Sequence, residues 1–399
     1  ASTVQKLGFA YSKDGINWTK SAGNPVFDTR VAEPAVINDS GTWHLWYLDP
    51  ASKISYRSSS APFTMIQDAI NAAADDDTVN IAAGTYAEHA KNGVVTGTKT
   101  PGKQINFIGE TDESGQPLPV ILGSLEINLS SSLEDNVSIS NINFKVTDAA
   151  TLHLYSVNGI TIDNCSFDGS ALFLNNGKVG VQFTSGSDGN TNAVIQNSVF
   201  KDGLYVGIQG YVNDLTVTGS DLYNIKSGIN FQGGSTLEVN DTDISVIAQG
   251  ITNDTYAVRF TSSATNQMTV NGGSFTVDRN GLTPNDGIYH SAIVVRGVAE
   301  GSHKVSGASI NGEVVNLITT PLDASPNWWG SMDGPAAGQI VGEATYSPWC
   351  GDAACETKIK EETKATSRNL PLAGQPDPGP CIACGQQAEG PRWIFARAY

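Results

Sequence analysis

Apolar and polar positions alternate along most of this chain in short bursts, and the bursts recur. The stretch VSISNINF (137–144) reads apolar-x-apolar-x-small-x-x-apolar. The same form returns as ITIDNCSF (160–167), AVIQNSVF (193–200), LTVTGSDL (215–222), LEVNDTDI (237–244), MTVNGGSF (268–275) and, shortened, KVSGASI (304–310). The closing apolar residues are Phe144, Phe167, Phe200, Leu222, Ile244, Phe275 and Ile310, at spacings of 23, 33, 22, 22, 31 and 35 residues. The longer spacings read as a unit of about 22 residues with an insertion. Each unit carries a second strand: VGVQF (179–183), VGIQG (206–210), SGINF (227–231), YAVRF (256–260) and SAIVV (291–295). Two or three short strands per unit, separated by Gly and Asn turns, predict a solenoid. One unit cannot bury its own apolar face, so it must stack on its neighbours.

One segment has a different period. In FTMIQDAINAAADDDTVNIAAGTYAEH (63–89), Phe63, Ile66, Ala69, Ile70 and Ala73 fall on one face of a helix over 63–74, with Thr64 and Gln67 as its capping box. Such a helix suits the open end of a stack, where strand edges and apolar side chains need a cover. The first sixty residues are rich in Trp and Tyr and predict four or five antiparallel strands. From Glu356 onward the pattern is lost, and residues 351–399 read as a linker or extension, with IFARAY as a short strand against the side of the stack. The expected division is therefore 1–60, 61–350 and 351–399.

The segment TMIQDAINAAADDDTVNIAAGTYAEH resembles the N-terminal entry of right-handed parallel β-helix proteins of the pectin-lyase-like superfamily. The closing stretch SPNWWGSMDGP…YSPW (325–349) resembles the end of many secreted bacterial members. YSKDGINWTK (11–20), AEPAVI (32–37) and GTWHLWYL (41–48) resemble a blade of five-bladed-propeller glycoside hydrolases. These resemblances imply an all-β chain: a right-handed parallel β-helix (solenoid) with an N-terminal amphipathic capping helix and a small N-terminal antiparallel β-sheet appendage. The family-specific catalytic segments of pectin methylesterases, polygalacturonases and alginate epimerases are missing, so no activity transfers with the fold.

Composition narrows the partners. The formal net charge is −17, which argues against nucleic acid because little is available to neutralise phosphates. No apolar run is long enough to span a membrane. No export signal is visible, and the chain starts without Met, which is compatible with a removed leader. Of the five cysteines, Cys165 lies in an apolar strand and reads as a buried thiol. Cys350, Cys355, Cys381 and Cys384 read as local disulfides or free thiols, with a zinc site as the alternative.

Stacking turns the repeat into a map of side chains, because equivalent positions in adjacent turns lie about 4.8 Å apart. One outward file reads Asn143, Ser166, Val199, Asp221, Asp243, Ser274, Ser309. Asp221 and Asp243 are thus predicted neighbours, suited to acid–base work on a glycosidic bond or to Ca²⁺, or else simply splayed into water. A second file reads His153, Gln182, Gln209, Asn230, Arg259, Val294, Asn316, with Lys201, Asp202, Tyr205 and Lys226 beside it. The insertions 169–178, 247–255 and 278–290 would wall this file with Asn253, Asp254, Tyr256, Arg279, Asp286, Tyr289 and His290. A plain amide ladder with neutral insertions is the competing reading.

The resulting expectation is a secreted or cell-surface carbohydrate-active enzyme, a glycoside hydrolase acting on plant cell-wall polysaccharide. Its catalytic candidates are Asp221, Asp243, Asp202 and His290. Its substrate-binding candidates are Gln182, Gln209, Asn230, Arg259, Lys201, Tyr205, Lys226, Asp254 and Asp286. The alternatives are a polysaccharide lyase using Ca²⁺ with Lys201, Tyr205 or Arg259 as the basic group, and a non-catalytic carbohydrate-binding or adhesion module. The expected partner is a polysaccharide or oligosaccharide bound by a monomer, with no nucleic acid and no membrane. No cofactor is required in this reading, and no metal site is assigned.

Overall fold

The computed structural model describes residues 63–93, 101–129, 136–145, 150–169, 177–184, 189–262, 266–285, 287–297, 301–331 and 334–346, with short pieces of the first sixty residues and strands at 366–369 and 394–396. The chain divides into two compact units, Ala1–Thr64 and Met65–Tyr399.

In the first unit, Ala10–Tyr11 pairs antiparallel with Thr19–Lys20, and Ala32–Asp39, Thr42–Leu48 and Ile54–Ser60 form a three-stranded antiparallel sheet.

The second unit is dominated by three parallel sheets of eleven, nine and ten strands. The chain visits them in rotation. Thr78–Ile81 begins sheet A, Gly84–Tyr86 begins sheet B and His89–Asn92 begins sheet C; Asn106–Gly109 then returns to sheet A beside Thr78–Ile81. Up to Leu322–Asp323, strands adjacent in a sheet are thus three strands apart in sequence.

The local sequence explains each pass. In sheet A the alternate residues Ile160 and Ile162, Ala193 and Ile195, and Leu215 and Val217 are buried in register. The small residue that follows makes the turn into sheet B. Asn141, Asn164 and Asn197 take this place with φ of 60°, 50° and 49°, a left-handed conformation that Asn tolerates better than most residues. The Asn164 amide donates to Asn141 Oδ1 at 2.8 Å. One residue later Ser198 turns inward; its Oγ accepts from the Cys165 N–H at 3.2 Å and donates to Gln196 O.

The core runs the length of the stack. Phe144, Phe167 and Phe200 lie face to face at 5.0 and 4.6 Å, and Phe231 and Phe260 at 5.1 Å. Full burial of such a ring contributes about 1.5–3 kcal/mol relative to exposure. Cys165 is a free thiol in this core, and burial pushes its pKa up to about 12, which suppresses the reactive thiolate.

The helix is shorter than the sequence predicted. It spans Ile66–Ala72, burying Ile66 and Ile70, while Phe63 stays exposed. The capping box of Thr64 and Gln67 does not form. Its role is taken by Glu88, whose two carboxylate oxygens accept the Ile66 and Gln67 N–H groups at 2.8 and 3.0 Å. At the other end the Lys103 ammonium donates to Ile70 O, Asn71 O and Ala73 O at 3.1, 3.0 and 2.5 Å. An acid at the helix N-terminus and a base at its C-terminus both oppose the helix dipole and satisfy groups that a seven-residue helix leaves unpaired.

Other expectations also need correction. Asn316 does not continue the polar file of sheet C. The register shifts between Ser291 and Ile293, so Val315 stands opposite Val294 and Asn316 opposite Val295. Ile394–Ala396 pairs antiparallel with Thr366–Asn369, not with the parallel sheets. Among the described residues the class observed is large parallel sheets with one short helix. The right-handed β-helix of the pectin-lyase-like superfamily rested on a resemblance that the comparisons below overturn.

Replacing Glu88 or Lys103 by Ala should each cost about 1–2 kcal/mol of stability, in the range of a lost helix cap. Denaturant unfolding would show this as a lower midpoint at unchanged slope, and an unchanged midpoint in both variants would refute the clamp.

Candidate functional site

The outer face of sheet C carries a continuous polar file. In register it reads Lys91, Glu126, His153, Gln182, Gln209, Asn230, Arg259, then Val294, Val315 and Val341. The file thus begins two strands earlier than the sequence reading placed it, with a Lys91–Glu126 ion pair at 3.4 Å. Gln209 Nε2 donates to Gln182 Oε1 at 2.5 Å, Gln182 Nε2 to Phe183 O at 3.0 Å, and Arg259 Nε to Asn230 Oδ1 at 2.9 Å. These side chains largely satisfy one another. Burial lowers the His153 pKa, with Glu126 opposing, and its Nε2 lies 2.6 Å from Thr184 Oγ1.

A Cβ on Gly228 would lie 2.3 Å from Ala257 O and 2.7 Å from Ile244 Cγ2, so the strand approaches the core too closely for a side chain there. Tyr256 belongs to a small apolar cluster with Val294 and Val315, apart from the main core. The Arg259 guanidinium lies 4.5 Å from the centre of the Tyr256 ring. Burial raises the Tyr256 pKa, and the Arg259 charge opposes this.

The insertion 247–255 is tied down over this region. Asp254 accepts from Arg259 at 3.3 Å, Arg296 at 3.2 Å and the Tyr289 N–H at 3.0 Å. Glu313 takes Arg279 at 2.5 Å and the Ser291 hydroxyl at 3.3 Å. His290, which reads from sequence as a loop base or a surface residue, is 1% exposed, and its Nε2 donates to Gly250 O at 2.9 Å. Burial lowers its pKa, and the Gly250 carbonyl partly offsets this. Lys226 donates to the Tyr205 hydroxyl at 2.8 Å. Asp286 lies outside the described residues, as do Cys350, Cys355, Cys381 and Cys384.

The four acid–base candidates do not share one site. Asp221 and Asp243 stand opposite each other on exposed positions of sheet B. They line a shallow recess with Tyr223, Ser245, Ser274 and Thr276. Asp202 sits in a turn with φ 49° and accepts the Asn224 amide at 3.1 Å. Lys201 lies in sheet B between Asp168 and Tyr223. His290 is on sheet C. Among the described residues no group of three or more His, Cys, Asp or Glu is placed to hold a metal. No helix among them is long and apolar enough to cross a membrane.

The C-terminal end of the stack has a separate significance. Ile340–Val341 adds a strand to sheet C beside Val314–Val315, and Ala344–Thr345 adds one to sheet A beside Leu322–Asp323. The chain from here to its end has identifiable relatives. Residues 340–399 match the family described as prolyl-tRNA synthetase, C-terminal. The chain is similar to a proline–tRNA ligase of Symbiobacterium thermophilum, with 52% identity over 62 residues, 16% of this chain and 12% of the relative. It is similar to proline–tRNA ligase 2 of Rhodococcus jostii, with 55% identity over 74 residues, 18% of this chain and 14% of the relative. Proline–tRNA ligase 2 of Clostridioides difficile is 49% identical over 51 residues, 13% of this chain and 10% of the relative. The chain thus spans between a tenth and a seventh of the length of these curated relatives. No solved structure matches it.

These matches overturn several expectations. The resemblance to pectin-lyase-like proteins and propeller hydrolases is not supported by any family match, and the right-handed β-helix class falls with it. The glycosidase, lyase and carbohydrate-binding readings, and the description of the chain as a secreted polysaccharide enzyme, give way to similarity with ligases of tRNA. The exclusion of nucleic acid as a partner and the secreted or cell-surface location are withdrawn for the same reason. The segment with identifiable relatives includes 351–399, which the sequence reading took as a linker or extension.

The Asp pair has a measurable consequence. Burial raises the Asp243 pKa, and Asp221 and Asp241 add to this. A carboxyl raised in the folded state favours folding below its unfolded pKa of about 4. That contribution is lost as pH rises through the folded pKa. Asp243→Asn mimics the protonated form. It should therefore melt above the parent at pH 7 and level with it at pH 3, as followed by circular dichroism. A variant melting below the parent at pH 7 would contradict the repulsion.

Proposed function

We propose that the chain works in the joining of proline to tRNA. Residues 340–399 act as the carboxy-terminal segment of a proline–tRNA ligase, and the stacked strands are the body that carries it. The observation that carries the reading is the identity of 52% over 62 residues and 55% over 74 with two such ligases. Beyond its first six residues the sequence of the segment lacks the apolar alternation of the stack, so identity at this level is not the product of a generic β pattern.

Charge supports the same division of labour. Residues 356–399 hold six Lys or Arg against five Asp or Glu, a net of +1, which leaves −18 for residues 1–355. A tRNA contact therefore belongs to the C-terminal segment, because the net charge of the body opposes the approach of a polyanion. Joining proline to tRNA consumes ATP with Mg²⁺. The matched part is about an eighth of a ligase, so the adenylating part lies outside the matched residues.

The test is proline charging of tRNA in trans. Purified full-length chain is added to a proline–tRNA ligase lacking its own C-terminal segment, and radiolabelled prolyl-tRNA is counted. Charging should rise with added chain and should not rise with a version ending at residue 346. No gain at any concentration, with no tRNA retained by the chain at low salt, would end this reading.

A further inference from the structure

Tyr205, Lys226, Thr255 and His290 occupy one position on four successive strands of sheet C or immediately before them. The register Val206 to Ser227 sets Tyr205 beside Lys226, Ile229 to Val258 sets Lys226 beside Thr255, and Thr255 pairs directly with His290. All but Tyr205 are more than nine-tenths buried. Lys226 bonds the Tyr205 hydroxyl and lies 4.0 Å from the centre of its ring, and among the described residues no carboxylate pairs with it. The nearby acids are committed elsewhere: Asp254 to Arg259 and Arg296, Glu313 to Arg279. The Thr255 hydroxyl and His290 Nδ1 are buried with no hydrogen-bond partner. His290 Nε2 donates to Gly250 O, so in the neutral ring Nδ1 presents a lone pair.

A buried ammonium without a counter-charge is costly, and so is each buried polar atom left unpaired. Three such costs on adjacent strands, about 4.8 Å apart, are relieved together by one kind of ligand. It must carry negative charge for Lys226, an acceptor for the Thr255 hydroxyl and an O–H donor for His290 Nδ1. We infer that Lys226, Thr255 and His290 form a binding site for a small oxyanion that carries a hydroxyl group, of the phosphate class. Monobasic phosphate meets all three demands, as does the singly protonated form of a phosphate monoester. Sulfate meets only two, because it has no proton to donate at neutral pH. The stretch Gly250–Asp254, in which Ile251, Thr252 and Asn253 are exposed, covers the site and is where a ligand would enter. This site is independent of the C-terminal segment and of the tRNA reading.

The test is isothermal titration of the full chain at pH 6.5 with inorganic phosphate, glycerol 3-phosphate and sulfate. Phosphate should bind saturably at one site per chain and at least tenfold more tightly than sulfate. Tighter binding of glycerol 3-phosphate would assign a monoester, and tighter binding of inorganic phosphate the free ion. Lys226→Gln should weaken binding at least tenfold. Thr255→Val, which keeps the shape of the side chain, should weaken it about threefold to tenfold while the far-ultraviolet dichroism stays unchanged. Heats that never saturate, equal binding of sulfate, or unchanged affinity in the Thr255→Val variant would overturn the site.

Discussion

Everything in the large unit depends on the hydrogen-bond spacing between parallel strands. Because each pass lies about 4.8 Å from the next, a side chain meets its own counterpart in the neighbouring turn more closely than any other residue. Phe therefore stacks on Phe at 5.0 and 4.6 Å, and amide donates to amide, as Gln209 does to Gln182 and Asn164 to Asn141. The same spacing makes like charges face each other. Asp221 opposite Asp243 is the direct cost of a register that the core has already fixed through Leu222 and Ile244. An outward residue does not choose its neighbour; the inward residues beside it do.

What was legible in the sequence follows from this locality. The alternation in ITIDNCSF, the left-handed Asn and the closing Phe are decided within eight residues, so their places could be read directly. Features that join distant residues could not. The helix is held by Glu88 and Lys103, which lie 22 and 33 residues from the groups they bind, while the adjacent Thr64 and Gln67 looked sufficient on their own. The register shift at Ser291 and Ile293 moved Asn316 from the surface into the core, and nothing in GEVVN marks it. His290 read as a loop residue because its cover, Gly250, is 40 positions away.

The family was misread for a related reason. An amphipathic helix followed by DTVNIAAGTY is what the start of a stack of strands requires, and a requirement imposed by packing carries little ancestry. The stretch with traceable relatives, 340–399, has almost no periodicity. Hydrophobic pattern reports how a chain buries its surface. It is silent where the alternation fades, and that is where the similarity to proline–tRNA ligases lies.

The join between the two parts is not a loose tether. The matched segment opens at Ile340, already a strand of sheet C, and its Ala344–Thr345 extends sheet A. Asn316, 2% exposed, reaches across the join: its amide donates to Thr320 O and to Glu343 O at 2.8 and 2.7 Å. Gly342 has φ +85°, and a Cβ there would lie 1.9 Å from Asn316 O, so the close approach leaves room for glycine alone. Gln339 adds bonds from its amide to Ile310 O and Gly312 O at 3.3 and 3.2 Å. These contacts belong to the stack, yet residues 340–345 belong to the matched segment. The first residues of that segment are therefore ordered by the body that precedes them. Leu322–Asp323 and Val314–Val315 fix where these two strands lie, much as one turn sets the register of the next.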